Sequence, residues 1–286
     1  MKNNILKFST LALLMALAAG CADDGKTGPA GPAGADGING VDGVDGVDGQ
    51  DGADGVDGQD GSSGTSAVYT VQITNATFGQ PLGAAAIILH EPGYHAFVDG
   101  EAASLGLEIT AESGNPDTLL EEAVAATNYH IDSVSSGAPV FPKEIGEEQT
   151  LIVPTSDVDN LYLTVASMLG NTNDAFTGLN AVDVSNMTVG QSSSFMAPTW
   201  DAGTEANTET IDTIPGPASQ ALGGGGDAAA FNAERDDLFN LVHFHPGVVT
   251  NANATDASLE GLSDSVLGEE HRFSSISAKI TITRTR

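Results

Sequence analysis

The chain has 286 residues, with 39 acidic side chains against 9 basic ones and a formal charge of −30. A polyanion of this kind attracts divalent cations and repels both nucleic acid and anionic lipid surfaces, so nucleic acid is excluded as a partner. The single cysteine, Cys21, rules out an intrachain disulfide and any thiolate-rich metal site.

At the N-terminus Lys2 and Lys7 precede an apolar run, Leu11–Ala19, which is too short to span a bilayer. It leads into "LAAGC", Leu17–Cys21. This resembles the lipobox of bacterial lipoproteins, with Ala18 where that pattern prefers Leu. The resemblance implies that residues 1–20 are a signal peptide and that Cys21 is lipidated. Acyl chains would then hold the protein in the cell envelope, as an outer-membrane lipoprotein facing the surface or the periplasm. The alternative is an ordinary secretory signal with a chance cysteine.

Residues 21–65 form the next segment. Glycine stands at every third position from Gly25 to Gly64, which makes thirteen consecutive G-X-Y triplets. Strict period three is the collagen signature, because only glycine fits at the axis of three wound chains. Pro29 and Pro32 fill X positions. From Asp36 to Asp60 every Y position is Asp except Asn39. Three such strands would stack rings of carboxylates, a repulsion that salt or divalent cations relieve. A calcium loop of the EF-hand kind needs acids at every second residue, whereas Asp42, Asp45, Asp48 and Asp51 recur at every third and do not converge. The segment reads as a collagen-like or polyproline-II-like stalk, able to assemble as a homotrimer, or as a flexible Gly/Asp linker. Extended at ~3.1 Å per residue, the thirteen triplets reach on the order of 120 Å.

Residues 66–286 are long enough to bury a substantial core. "VYTVQIT" (Val68–Thr74) alternates, with Tyr69, Val71 and Ile73 on one face, and predicts a half-buried strand. Ala84–His90, Gln149–Val153, Leu161–Ser167, Leu179–Val184 and Ile276–Arg284 also read as strands. "NPDTLLEEAVAA" predicts a helix capped by Asn115 with Pro116 at its first position. Its apolar stripe comprises Leu119, Leu120, Ala123 and Val124. Glu101–Ala111 predicts a second short helix. The polar stretch Gly203–Asp236, with four glycines at 223–226, reads as a long surface loop and lacks the Gly-Lys-Ser/Thr ending of a phosphate cradle. Together these elements predict an all-β antiparallel sandwich with a short helical insertion, preceded by the stalk.

No G-x-S-x-G or H-E-x-x-H is present. "HFHPG" places His243 and His245 two apart, on one face if the segment is a strand, where a pair can chelate a transition metal or simply be satisfied by neighbours. "NTNDAFTGLN" (Asn171–Asn180) and "WDAGTEAN" (Trp200–Asn207) read as loops rich in hard oxygen donors. Gly203 lets the backbone fold sharply enough to bring Asp201 and Glu205 to one point, and Asp174 can join them. Three carboxylates with backbone carbonyls would suit calcium; solvated acidic loops are the alternative.

These segments, with "YTVQITNATFGQPL", "GLEITAESGNPDTLLEEA", "IPGP" and "AKITITR", resemble the spondin N-terminal domain family over nearly all of Tyr69–Arg284. The resemblance implies a β-sandwich similar to C2 domains with a calcium ion at one edge. It also implies that Asp174, Asp201 and Glu205 are its ligands, Glu205 standing where the animal proteins have Asp. Cysteines of the animal domains are missing here, and no thrombospondin-type repeat follows. The expectation is a lipid-anchored surface protein, a binding module and not an enzyme, which displays a calcium-binding domain for adhesion to an extracellular protein or glycan. A hydrolase using the calcium edge or His243 and His245 is the alternative.

Overall fold

The alternation at Tyr69, Val71 and Ile73 becomes strand β1 (Ser66–Asn75), whose odd-numbered residues from Ala67 to Asn75 are all buried. In the computed structural model the described residues are 32–34, 36–37, 66–224, 231–251 and 265–286. The chain divides into two units, Met1–Asp57 and Gly58–Arg286. Of the first, the described residues are exposed and lack regular structure. The expected signal peptide, the lipidation residue Cys21 and most of the stalk lie outside the described residues. Among the described residues no helix is long and apolar enough to cross a membrane.

The second unit is mostly antiparallel sheet, as the spacing of apolar residues predicts. After β1 come β2 (Ala86–His90), helices α1 (Leu105–Ser113) and α2 (Asp117–Ala125), then β3 (His130–Ser135) and β4 (Gln149–Pro154). The remaining strands are β5 (Tyr162–Met168), β6 (Ala175–Asp183), β7 (Ser192–Asp201), β8 (His243–Phe244) and β9 (Ile276–Arg284), with a short helix α3 (Pro217–Gln220) between β7 and β8. The strand order is β3-β2-β5-β6-β7-β9-β1-β4, with β8 added beside β7.

Strand β7 joins the two halves of the sandwich. Its first part pairs with β9 from Ser192 to Pro198, and its last three residues pair with β6. The change comes at a register shift between Ala197 and Pro198, where proline has no N–H to give to a ladder. At the far edges Asp132 Oδ2 of β3 accepts from the Ile152 N–H of β4 at 2.7 Å. That side chain stitches the two open edges, so the sandwich approaches a closed barrel.

One core lies between the sheet faces, where Tyr69, Val71, Ile87, Leu89, Leu151, Leu163, Val165, Ile280 and Ile282 meet. A second lies outside β2, under the helices. There Ile88, Ala166 and Phe176 pack on Leu107, Ala111, Leu119 and Ala123. This explains why β2 is apolar throughout: it is covered on both faces. The helical insertion is held by polar ends. Ser104 Oγ accepts from the Leu107 N–H at 3.1 Å and donates to Glu122 Oε2 at 2.6 Å, while Glu122 Oε1 takes the Gly106 N–H at 2.7 Å.

Several expectations shift. Pro116 sits just before α2, and Asn115 Oδ1 accepts from the Asp117 N–H at 3.0 Å. Val124 is exposed, because α2 turns only a narrow face to the core. The first helix starts later than expected and continues to Ser113, where Gly114 closes it in the left-handed conformation. Asn171–Asn180 and Trp200–Asn207 are not wholly loops: Ala175–Asn180 belongs to β6, and Trp200 and Asp201 end β7. The stretch 203–236 is more than a surface loop. It contains α3 and buries Thr204, Glu209, Ile214 and Ser219.

Candidate functional site

Antiparallel pairing sets Ala175 opposite Asp201, and Asp201 opposite His243. Asp174, immediately before β6, is thereby brought beside the end of β7. Both aspartates are fully buried. The turn that follows is sharp. Gly203 has φ +69, and a Cβ there would collide with the Leu241 backbone, so glycine is required. The turn is tied down by the carboxylates themselves. Asp201 Oδ1 accepts from the Gly203 N–H at 2.8 Å. Asp174 Oδ2 accepts from the Thr204 N–H at 2.7 Å, the Thr204 hydroxyl at 3.1 Å and the Glu205 N–H at 3.0 Å. Asp174 Oδ1 is buried with no hydrogen-bond partner.

The structure brings Asp174, Asp201 and Glu205 to one edge, and adds acids that the sequence motifs do not flag. Glu205 faces Glu112 from the last turn of α1, Asp174 and Asp236. Burial, followed by these three charges, pushes its carboxyl up to about 8. Asp174 is pushed up to about 7, by burial first and then by Asp201. Glu112 is raised by burial; its Oε2 accepts from the Asn232 N–H at 3.0 Å, and its Oε1 has no partner. Arg235 neutralises Glu108 in this region, donating from Nε to Oε1 at 3.0 Å. Among the described residues no three His, Cys, Asp or Glu side chains close around a single point as a ready metal cage.

The two histidines also come to this edge, which the separate motifs did not foretell. Each Nε2 lies 3.8 Å from Asp201 Oδ2. His245 is buried, and its Nδ1 accepts from the Gly247 N–H at 3.0 Å. Its Nε2 therefore carries the proton and donates to Asn207 Oδ1 at 3.0 Å, while Asn207 Nδ2 donates to Asp201 Oδ2 at 2.7 Å. Burial pushes the His245 ring down to about 4, against the pull of Asp201. His243 is arranged the opposite way. Its Nδ1–H donates to the Leu241 carbonyl at 2.8 Å, which in the neutral ring leaves the lone pair on the Nε2 that faces Asp201. Trp200, one residue before Asp201, stacks on Phe244 with ring centroids 4.1 Å apart.

A search of curated proteins finds no match to the chain. Residues 20–68 match the collagen triple helix repeat, bearing out the collagen-type reading of the G-X-Y run. The Spondin_N model matches residues 72–216, half of the chain, and this span includes the end of β1, strands β2 to β7, both helices of the insertion and the Asp174, Asp201 and Glu205 turn. The two together mark an extracellular, adhesion-type protein. With half of its length matched by this one model, the chain belongs to the Spondin_N family.

Proposed function

We propose that the chain is a surface binding module in which calcium at the Asp174, Asp201 and Glu205 edge orders the surrounding turns for an extracellular protein or glycan ligand. The observation that carries this is Asp174. One of its carboxylate oxygens takes three donors from the 204–205 turn, and the other is buried with no partner. An ionised carboxyl in that state is costly unless a cation meets it. Oxygen-only donors from carboxylates fit a hard cation such as calcium. Asp174, Asp201 and Glu205 would hold the ion, and it would supply the positive charge that this edge lacks. Upstream, Cys21 would be the lipid anchor in the cell envelope and the G-X-Y repeat a spacer, with a homotrimer available to it.

Calorimetric calcium titration of the full chain, at a salt concentration that screens the stalk, tests the site. Saturable binding of an ion that is lost in Asp174→Asn is expected, and the adhesion reading is then tested by calcium-dependent capture of cells or matrix. Equal weak binding by both proteins would mean diffuse counterion attraction and would sink the reading. The alternative hydrolase reading has one specific support, the His243 lone pair beside Asp201. Turnover of an ester or peptide panel that disappears in His243→Ala would establish it instead.

A further inference from the structure

Glu209 lies outside the expected ligand set, yet it is the least satisfied charged group among the described residues. Its side chain is fully buried, and neither Oε1 nor Oε2 has a hydrogen-bond partner. The Val249 N–H faces the carboxylate and favours its ionised form without reaching hydrogen-bond geometry. The charged side chain that acts on it is Asp201, which has the same sign. Residues 252–264, close in sequence to Val249, contain Asp256, Glu260 and Asp264 but no Lys, Arg or His.

The backbone pins the side chain where it is. The Glu209 N–H donates to Asn173 Oδ1 at 3.0 Å, and its carbonyl accepts from the Val266 N–H at 2.9 Å. Its φ is +46, a conformation that non-glycine residues adopt at a cost and that persists where the surroundings impose it. Protonation alone does not resolve the burial. A neutral carboxyl adds an O–H donor that would still find no acceptor at either oxygen. A cation resolves it, because two bare oxygens on one carboxylate make a bidentate ligand of the kind calcium takes. Burial pushes the carboxyl up to about 7, as expected for an acid with no counter-charge in place.

We propose that Glu209 and Asp201 hold a second hard divalent cation, of the calcium or magnesium class, beside the site assigned to Asp174, Asp201 and Glu205. Asp201 is shared, since each of its oxygens takes one donor and keeps a second lone pair. The second site stands on Glu209 and does not require Asp174.

The test uses the full chain in salt that screens the stalk aspartates. Calcium stoichiometry is read by calorimetry. Terbium luminescence sensitised by Trp200, the single tryptophan, reports ions at this edge. Two ions are expected in the unsubstituted chain, and one in Glu209→Gln, with the lost ion weakened at least tenfold. Asp174→Asn should keep the ion at Glu209. If Glu209→Gln binds as many ions as the unsubstituted chain and as tightly, the second site is overturned. It is also overturned if Glu209→Gln and Asp174→Asn each abolish all binding, since that describes one ion. If Asp174→Asn binds normally while Glu209→Gln loses an ion, the second site stands and the Asp174 site falls. Glu209→Asp guards against a folding defect in the Gln variant. It keeps the charge but shortens the reach, and should weaken one ion while leaving the other unchanged; equal affinity at both would count against the proposal.

Discussion

Two regions of this molecule treat buried polar atoms differently. Between the sheet faces, β1, β2, β4, β5 and β9 pack apolar side chains, and among the described residues the one buried side-chain oxygen there without a partner is the Tyr69 hydroxyl. At the far end of β7, four carboxylate oxygens of Glu112, Asp174 and Glu209 are buried without partners among the described residues. The first region is built to hold the fold, and the second accumulates uncompensated charge. The difference teaches where to look for function: a stable sandwich can tolerate a strained edge, and that edge is where a cation has most to gain.

Breaking the first region should have the largest effect. Leu163 of β5 is fully buried in the central core. Leu163→Ala should cost about 2–5 kcal/mol in urea unfolding followed by Trp200 fluorescence, through lost apolar burial and the cavity left behind. A loss under about 1 kcal/mol would show that the core repacks freely and would weaken the contrast.

The second region should respond to pH. Asp174 rises from its ordinary 3.8 to about 7, Glu205 from 4.5 to about 8 and Glu209 from 4.5 to about 7. Each holds its proton more tightly folded than unfolded. Their contribution to stability is therefore complete below about pH 4 and is lost as pH rises to about 8. His245, lowered from 6.5 to about 4, acts the other way, and its contribution is lost as pH falls through that range. The two oppose each other below pH 6.5, and above it only the carboxylates remain. The calcium-free protein should thus lose thermal stability steadily from pH 6.5 to about 8, and calcium should flatten the slope. Scanning calorimetry in chelator across this range measures it; a flat calcium-free profile would mean that the edge carries no charge stress.

The smallest effect sharpens the comparison at the layer between the regions. Ser104→Ala removes the cap of α1 and the hydroxyl that Glu122 accepts from. It should cost about 1 kcal/mol in the same unfolding assay and leave calcium stoichiometry untouched. A change in stoichiometry would show that α1, through Glu112, belongs to the ion site.

Strands with one-sided alternation were legible from the sequence. β9 has the expected bounds, and β1 extends the expected segment by two residues at its start and one at its end. β7 was not legible. Its Ser192 and Ser194 face outward and bond the Thr283 and Thr281 hydroxyls at 2.7 and 2.9 Å, so its first half shows no apolar alternation. β3 is half-buried throughout and likewise offers no alternation, and β8 is only two residues long. The acidic turn was legible at Asp174, Asp201 and Glu205, because a family motif carries it.

By itself, then, the sequence determined the all-β class, the helical insertion, the collagen-type repeat and three acids of the edge, since each is written in local spacing or a contiguous motif. Only the tertiary structure decided that His243, His245 and Asn207 meet Asp201, that Glu112 meets Glu205, and that Glu209 is buried bare. Apart from Asn207, which lies six residues after Asp201, these contacts join residues far apart in the chain, and those of the histidines follow from the antiparallel register of β7 and β8, which no local pattern encodes.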